Sequence, residues 1–351
     1  MLVFMTKPLR EQLNTYKPTE IWAPDMELDE PILRAVEQMN RQDTKLLQER
    51  LKKQVHKSEN GVVYALVNGD NPIEYSLSSA MVMFNPYANC ATPNMLRRAE
   101  FIRLVAREYG ITDANGQYLP VIMLANPGIK GSKLSLDDTD REKISHGDLG
   151  PFAAELLRAV ELRNIGRIAL FGFSQGADVA AAGYSQAYNM NMDVVGLAVG
   201  DPAGVKRRST KTLRKDFMQA GIKQLHQSID RGGLEHQKET QGTKDFARFL
   251  ISSLHSINQD LYKGLGVKDF DYKIMQALGL RNRQATSGNI VVGYGGNSAI
   301  SQPEKLEQIL SNIQSLDKED VITTIKVEGA NHTWGDQLTL LTALYMRALK
   351  Q

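Results

Sequence analysis

The sequence Gly172-Phe173-Ser174-Gln175-Gly176 decides the fold of this chain. It follows the apolar run 168–171 and precedes a run rich in small residues at 177–182, so the order is strand, sharp turn, helix. A serine at such a turn has strained backbone angles, and a glycine two residues to either side lets the helix pack close to the strand. The hydroxyl then points out of the sheet edge, which makes Ser174 the first candidate nucleophile.

Short apolar runs typical of β-strands alternate with helical patterns along most of the chain. This alternation is typical of a mainly parallel sheet that is covered by helices on both faces. We predict strands at 80–84, 119–125, 167–171, 194–199, 289–293 and 321–327, and helices at 94–109, 148–163, 303–315 and 336–349. Upstream, residues 61–76 are predicted to form a β-hairpin whose turn contains Asn68-Gly69.

Two segments depart from the alternation and define the predicted domains. Residues 1–57 form a helical N-terminal extension, with a broken apolar stripe over 31–56 that indicates packing on the domain or an oligomer contact. Residues 206–286 show no strand pattern and are interpreted as a basic helical cap inserted late in the sheet. Its short helices are predicted to be broken by glycines at 221, 232, 233, 264 and 279. The core then consists of residues 58–205 and 287–351.

The charge of the chain is unevenly distributed. Residues 206–286 contain 16 Lys and Arg against 8 Asp and Glu, whereas the rest of the chain contains 26 against 32. A basic helix face is usually a solvated surface, but beside a binding site it attracts an anionic substrate, a lipid headgroup or a partner. The segment has no nucleic-acid-binding motif and few aromatic residues beside its charges, so we expect no nucleic acid partner.

Length and composition exclude several protein classes. A chain of 351 residues, 42% hydrophobic and 23% charged, is typical of a globular protein with one large domain and an insertion, or with two domains. The single cysteine, Cys90, excludes an internal disulfide framework and is interpreted as a buried small residue. Residues 1–10 contain no signal-like apolar core, and no apolar run reaches the roughly 20 residues that span a bilayer. We therefore expect a cytoplasmic protein.

A nucleophilic serine requires a general base, and His332 is the best candidate for that role. It follows the last predicted strand and precedes the final helix, and ligands of open α/β sheets bind at the carboxyl ends of strands. The other five histidines lie in charged helical patterns or in a polar loop: His56, His146, His226, His236 and His255.

With these residues, the chain resembles the α/β-hydrolase superfamily. The resemblance runs from about residue 61 to the C-terminus, apart from the basic segment, where that family often inserts a lid. It rests on the turn at Ser174, the glycine-bearing loop with His332, and the order of serine before histidine. It implies a serine hydrolase fold with an eight-stranded sheet, with Ser174 as nucleophile and His332 as base. Because this fold supports many chemistries, the resemblance does not identify a substrate.

The third catalytic residue has two candidates. The family usually carries its acid in the loop after the penultimate strand, but residues 293–300 contain no carboxylate. Asp201 is the first candidate, because some family members carry their acid at the end of the preceding strand. Asp201-Pro202 is also a common turn and helix-start pair. Asn297 is the alternative, able to accept a hydrogen bond but unable to stabilise an imidazolium by charge.

Backbone donors are predicted to stabilise the oxyanion of the reaction. One is the N–H of Gln175, the residue after the nucleophile. The second must come from the loop after strand 80–84, which begins Asn85-Pro86-Tyr87. Since proline has no N–H, Tyr87 or a neighbour is the candidate donor.

No cofactor or metal ion is predicted. The glycine-rich stretch 293–296 lacks the lysine of a P-loop and the spacing of a dinucleotide-binding fingerprint. No cluster of His, Cys or carboxylate residues has the spacing of a metal site.

Two functions are compatible with these features. The first is a cofactor-independent serine hydrolase that acts on a small-molecule ester or thioester through an acyl-enzyme, with an anionic ester suggested by the basic segment. An acyltransferase would use the same residues. The second is a hydrolase-fold protein with impaired or lost catalysis that serves binding or assembly, with the N-terminal helix as the contact to a second copy or another protein. The two differ in whether a carboxylate reaches His332.

Overall fold

The computed structural model describes residues 18, 20–23, 26–68, 77–84, 93–113, 115–127, 131–227, 256–284, 288–317 and 319–349. The strands are β1 Glu20–Trp22, β2 Val55–Lys57, β3 Val63–Val67, β4 Ser79–Phe84, β5 Val121–Leu124, β6 Arg167–Phe173, β7 Asp193–Gly200, β8 Ile290–Gly295 and β9 Ile322–Val327. The α-helices are α1 Glu30–Arg41, α2 Thr44–Lys52, α3 Pro93–Glu108, α4 Asp138–Ser145, α5 Gly150–Glu161, α6 Gln175–Asn189, α7 Thr210–Gln227, α8 Ser256–Leu265, α9 Phe270–Gln284, α10 Pro303–Gln314 and α11 Leu338–Leu349. A 3-10 helix spans His332–Asp336.

The described strands form one sheet in the order β2-β3-β5-β4-β6-β7-β8-β9-β1. All neighbours pair in parallel except β3, which is antiparallel to both β2 and β5. Strands β4 to β8 are almost entirely buried, and one apolar core lies on each face of the sheet. A strand buried on both faces reads as a continuous apolar run, which is why the sequence revealed these strands. The predicted mainly parallel sheet with helices on both faces is confirmed.

The six predicted strands and the four predicted helices of the core each lie within two residues of an observed element at both ends. The predicted hairpin differs from the observed strand pairing. Its first predicted arm is β3, which pairs with the preceding strand β2 on one side and with β5 on the other. The predicted second arm and most of the turn, residues 69–76, lie outside the described residues.

The described part of the N-terminal segment contains two helices and also supplies both edge strands of the described sheet. The single helix predicted over 31–56 is two helices, because Asp43 caps α2 by accepting hydrogen bonds from the N–H groups of Lys45 and Leu46 at 2.8 and 2.9 Å. His56 lies in β2 rather than in a helix. With β1 and β2 included, the sheet has nine strands rather than eight. Strands of three residues are too short to show an alternating pattern, so the sequence did not reveal them.

Helix α1 packs on the domain. It buries Ile32, Ala35, Val36 and Met39, and it lies against α3. This is one of the two roles predicted for the helix. Its contact with a second copy or another protein stays a prediction.

In the cap segment, which we define as residues 206–286, the described part contains α7, α8 and α9. Gly221 and Gly279 lie inside α7 and α9 and do not end them, which corrects the predicted breaks. One glycine costs a helix only about 1 kcal/mol relative to alanine, which tertiary packing offsets. Helix α8 ends at Leu265, one residue after Gly264, and a Cβ at Gly264 would lie 2.0 Å from the carbonyl oxygen of Ile144. Glycines 232 and 233 lie outside the described residues.

Candidate active site

Ser174 lies at the turn between β6 and α6, with φ 56° and ψ −127°. A positive φ is strained for a residue with a side chain, and such strain persists only where the surroundings hold it. Here the serine N–H donates to the carbonyl oxygen of Gly200 at 2.7 Å. A Cβ at Gly172 would lie 2.1 Å from the carbonyl oxygen of Gly176, so the turn requires glycine at 172. This is the strand-turn-helix geometry that the sequence predicts.

His332 begins the 3-10 helix that follows β9 and is buried. Its Nε2 lies 2.9 Å from the Oγ of Ser174. The imidazole packs against two phenyl rings, those of Phe173 at 5.4 Å and Phe217 at 6.1 Å between ring centroids. The histidine is therefore placed to take the serine proton, with its ring orientation restricted by packing.

Asp201 follows β7, and its Oδ2 lies 2.5 Å from the Nδ1 of His332. The carboxylate is fully buried and accepts three further hydrogen bonds. Ser298 Oγ donates to Oδ2 at 2.7 Å, Ser301 Oγ to Oδ1 at 2.6 Å, and the N–H of Gly295 to Oδ1 at 3.2 Å. A buried charge needs such partners to offset its loss of hydration. These contacts bring Asp201, His332 and Ser174 into one hydrogen-bonded line.

The other residues that the sequence singled out are Asn297, Gln175, Tyr87 and Cys90. The side-chain amide of Asn297 donates to the carbonyl oxygen of Gly329 at 3.1 Å, so Asp201, not Asn297, contacts His332. Gln175 is the first residue of α6, where a backbone N–H has no acceptor within the helix. Tyr87 and Cys90 lie outside the described residues.

Sequence reasoning did not predict the serines as donors to Asp201. Ser298 and Ser301 lie in the loop after β8, where the family usually carries its acid. The sequence feature that could have indicated their role is the pair of hydroxyl side chains three residues apart, directly after β8 and beside the end of β7, which Asp201 follows. Such a pair gains meaning only when the neighbouring strand order is known.

One aromatic side chain of the cap segment lies over the candidate base. Phe217 in α7 contacts the ring of His332 and also that of Tyr262 in α8, at 5.9 Å between centroids. The guanidinium of Arg214 lies 5.7 Å from the centre of the Tyr262 ring. Burial raises the pKa of Tyr262, so its hydroxyl is neutral at pH 7. The cap segment therefore places an apolar side chain directly beside the histidine.

Arg208 lies in the basic segment 206–286 but is not part of an open basic surface. Its side chain is 4% exposed and forms an ion pair with Asp216 at 2.9 Å. It also donates to the carbonyl oxygens of Ala203, Ala299 and Ile300. Those carbonyls belong to the loops after β7 and β8, so this cation ties the cap segment to the core. Lys206 and Arg207 remain exposed.

Two further findings concern ligands and membranes. Within the described ranges, no group of three or more His, Cys, Asp or Glu residues is placed to hold a metal ion. Among the described helices, none combines the length and the apolar character needed to cross a bilayer.

No family model and no curated protein matches the chain. Solved structures do. One is 2-hydroxy-6-oxo-6-phenylhexa-2,4-dienoate hydrolase from Rhodococcus sp. strain RHA1, with a TM-score of 0.49, 10% identity, and coverage of 84% of this chain and 98% of that one. Another is a monoacylglycerol lipase of Paleococcus ferrophilus, with a TM-score of 0.44, 15% identity, and coverage of 81% and 98%. An α/β serine hydrolase homologue from Coxiella burnetii has a TM-score of 0.40, 14% identity, and coverage of 84% and 96%.

The fold follows from the molecule's own topology. Eight strands from β2 to β9 run in the order β2-β3-β5-β4-β6-β7-β8-β9 with only β3 reversed among the inner strands. A serine stands on a strained turn after the fifth of them, and a histidine follows the last. The chain therefore has the α/β-hydrolase fold.

Proposed function

We propose that this protein is a serine hydrolase that cleaves ester or thioester bonds through an acyl-enzyme on Ser174. The observation that carries the proposal is the line of contacts from Asp201 Oδ2 through the imidazole of His332 to Ser174 Oγ, at 2.5 and 2.9 Å. A serine hydroxyl is a weak nucleophile until a base accepts its proton, and a base works best when a third group holds its tautomer. Here all three groups are in contact.

In the proposed first half-reaction, Ser174 Oγ attacks the carbonyl carbon while its proton moves to Nε2 of His332. Asp201 holds the proton on Nδ1 and stabilises the imidazolium by its charge. The oxyanion of the tetrahedral intermediate accepts a hydrogen bond from the N–H of Gln175. The second donor is assigned to Tyr87 or a neighbour from the sequence alone. His332 then gives its proton to the leaving alcohol or thiol, and the acyl group stays on Ser174.

In the second half-reaction, His332 takes a proton from water, and the resulting nucleophile attacks the acyl carbon. Collapse of the intermediate breaks the bond to Ser174 Oγ, which recovers its proton from His332. An alcohol or amine acceptor in place of water would give acyl transfer with the same residues. Comparing products in water with products at added acceptor separates the two reactions.

The substrate is proposed to be a small-molecule ester. The excess of cations in the cap segment is the reason to include anionic esters in the substrate panel. The contact of Phe217 with His332 is the reason to include esters with an apolar acyl group.

The test is exposure of the intact protein to a fluorophosphonate probe, followed by mass mapping of the labelled peptide. We expect the label on Ser174, because the probe reacts with activated serines. Ser174→Ala should abolish both labelling and ester hydrolysis. Ser185→Ala is the matched control, since Ser185 lies on the same helix with an exposed hydroxyl and should leave labelling unchanged. A label on any other residue, or hydrolysis that survives Ser174→Ala, would show that the assignment is wrong.

The alternative of a hydrolase-fold binding protein is motivated by the absence of a carboxylate in the loop after β8, by the proline in the loop after β4 and by the charged N-terminal helix. The contact of Asp201 with His332 supports the hydrolase over this alternative. An unlabelled, folded wild-type protein would bring the alternative back.

A further inference from the structure

We propose that Asp178 is a positioning residue that holds the loop of Asp201 in place for His332. The proposed role rests on the function proposed above for Ser174, His332 and Asp201. The contacts of Asp178 are observed independently of that function. Asp178 is the fourth residue of α6, the helix that begins directly after Ser174. Its side chain thus connects the helix of the nucleophile to the loop of the acid.

The contact is made by both oxygens of one fully buried carboxylate. Oδ2 of Asp178 accepts the N–H of Ala203 at 2.7 Å, and Oδ1 accepts the N–H of Gly204 at 3.0 Å. These two donors lie two and three residues after Asp201. A carboxylate that takes two successive backbone N–H groups fixes the direction of the chain between them, because each bond is directional.

The same loop is held from its other side by the cap segment. The carbonyl oxygen of Gly204 accepts the N–H groups of Asp269 and Phe270 at 3.2 and 3.3 Å, at the start of α9. There is no room for a side chain at position 204, since a Cβ there would lie 2.4 Å from Oδ1 of Asp178 and 3.4 Å from Oδ1 of Asp269. The backbone at Gly204 is therefore packed closely between the two carboxylates.

One cation balances this carboxylate pair. Lys273 forms a buried ion pair with Asp269, and its side chain is 4% exposed. Burial raises the pKa of Asp178 to about 6, and the charge of Lys273 and the two N–H bonds act in the opposite direction. At pH 7 the ionised form of the carboxyl therefore predominates, and this form can accept both N–H groups. The cluster has no contact with substrate in the proposed mechanism, so its role is to position the loop.

The direct test is Asp178→Asn. An amide of the same shape has one oxygen to accept a backbone N–H, and its NH₂ group must face the other donor. We expect the loop to shift and the contact between Asp201 and His332 to lengthen. The kcat for a small aryl ester should fall by about 10- to 100-fold, the range expected for a misplacement on the order of 1 Å, with KM changed by less than about twofold.

A spectroscopic readout separates positioning from general loss of stability. With Asp201 as acceptor, the proton lies on Nδ1 of His332, and a proton in a short charge-assisted bond resonates far downfield of the amides. In protein labelled with ¹⁵N-histidine, this signal should be present in the wild type and move upfield or vanish in Asp178→Asn. The signal needs no turnover, so it tests the proposal even if Ser174 fails to react with any substrate.

A second variant changes Gly204, the residue that Asp178 contacts, rather than Asp178 itself. Gly204→Ala places a methyl group against Oδ1 of Asp178 without changing any charge, and it should disturb the imidazole signal in the same direction. Gly279→Ala is its matched control, because a Cβ at that helical position meets nothing within 4 Å.

Asp113→Asn is the matched control for Asp178→Asn. Asp113 also accepts two backbone N–H groups, those of Asn115 and Gln117 on its Oδ1, and its Oδ2 accepts the hydroxyl of Ser78, in an exposed turn. It should keep the imidazole signal and kcat. If Asp178→Asn and Gly204→Ala fold with lowered thermal stability but keep the downfield signal and the wild-type kcat, Asp178 is a purely structural residue and the proposal is wrong. If only Gly204→Ala folds, its imidazole signal is the test: a lost or upfield-shifted signal supports the proposal, and an unchanged signal contradicts it.

Discussion

The loops that carry Asp201 and His332 are held in different ways. The acid loop follows β7 near the middle of the sheet, where its carboxylate receives the hydroxyls of Ser298 and Ser301. The histidine loop follows β9 near the edge. Beyond β9 lies only β1 in the described sheet, and the N–H of Glu328 donates to the carbonyl oxygen of Trp22 at 2.8 Å. The acid loop is positioned by hydrogen bonds to a buried carboxylate. The histidine loop is positioned by hydrogen bonds to its backbone carbonyls, which include those of Gly329 and Ala330, by an added edge strand and by packing.

This difference indicates how each loop should fail. A buried charge that loses a partner pays the full cost of its missing hydration, so a change in the acid loop should affect chemistry directly. The histidine loop is held by backbone pairing and by the edge-to-face contact of Trp334 with Phe173 at 5.2 Å. Such apolar support is distributed over many contacts, so its loss should reduce the stability of the fold more than the rate of reaction.

The largest expected effect is that of Asp201→Asn. An amide NH₂ facing Nδ1 of His332 favours the wrong tautomer, so kcat should fall by about 10,000-fold, as for equivalent changes in serine hydrolase triads. Steady-state hydrolysis of an aryl ester measures it. Asn297→Ala is the control and should retain activity within about twofold, because the Asn297 amide contacts Gly329 rather than the histidine. The reverse ranking would return Asn297 to the role of orienting residue.

After Asp201→Asn and Asp178→Asn, Ser301→Ala should have the next largest effect on kcat. The variant removes one of the two hydroxyls on the buried carboxylate of Asp201, which costs about 1–3 kcal/mol of stability and lowers kcat by about tenfold. Urea unfolding and steady-state kinetics together measure the two losses. Ser315→Ala serves for comparison, since the exposed Ser315 hydroxyl donates only to a backbone carbonyl in its own helix turn. Wild-type kinetics in Ser301→Ala would mean that Ser298 alone holds the acid.

Trp22→Ala tests the edge strand. Truncation of this buried side chain should lower the free energy of unfolding by about 3–5 kcal/mol. Measured well below its melting temperature, the variant should keep kcat within about fivefold, because the triad contacts themselves remain. A loss of kcat as large as that of Ser301→Ala, with little loss of stability, would contradict the contrast between the two loops.

The smallest effect is expected from neutralising the exposed cations of the cap segment. Lys206→Gln combined with Arg207→Gln should reduce turnover of anionic esters relative to neutral ones by less than about threefold, and added salt should mask the difference. Arg208 must stay unchanged in this test, because its replacement would remove the hydrogen bonds from the cap segment to the carbonyl oxygens of Ala203 and Ala299 in the core. A large, salt-insensitive loss for anionic esters would place these two cations in the binding site.

The sequence by itself determined the features that depend on neighbouring residues. The glycines around Ser174 predicted the strained turn, and apolar runs predicted six strands of the sheet, β4 to β9, to within two residues at each end. The place of His332 after the last strand made it the candidate base. Such patterns are local, so backbone sterics and the burial of successive side chains already contain them.

Only the tertiary structure decided the features that join distant parts of the chain. It placed Asp201 rather than Asn297 on His332, which lies 131 residues further along the chain. It added β1 beside β9, and it turned Arg208 from a surface charge into a link between the cap segment and the core. Each of these depends on which strand ends become neighbours in the sheet. No short-range pattern encodes that order, because it is set by burial and hydrogen bonding of the chain as a whole.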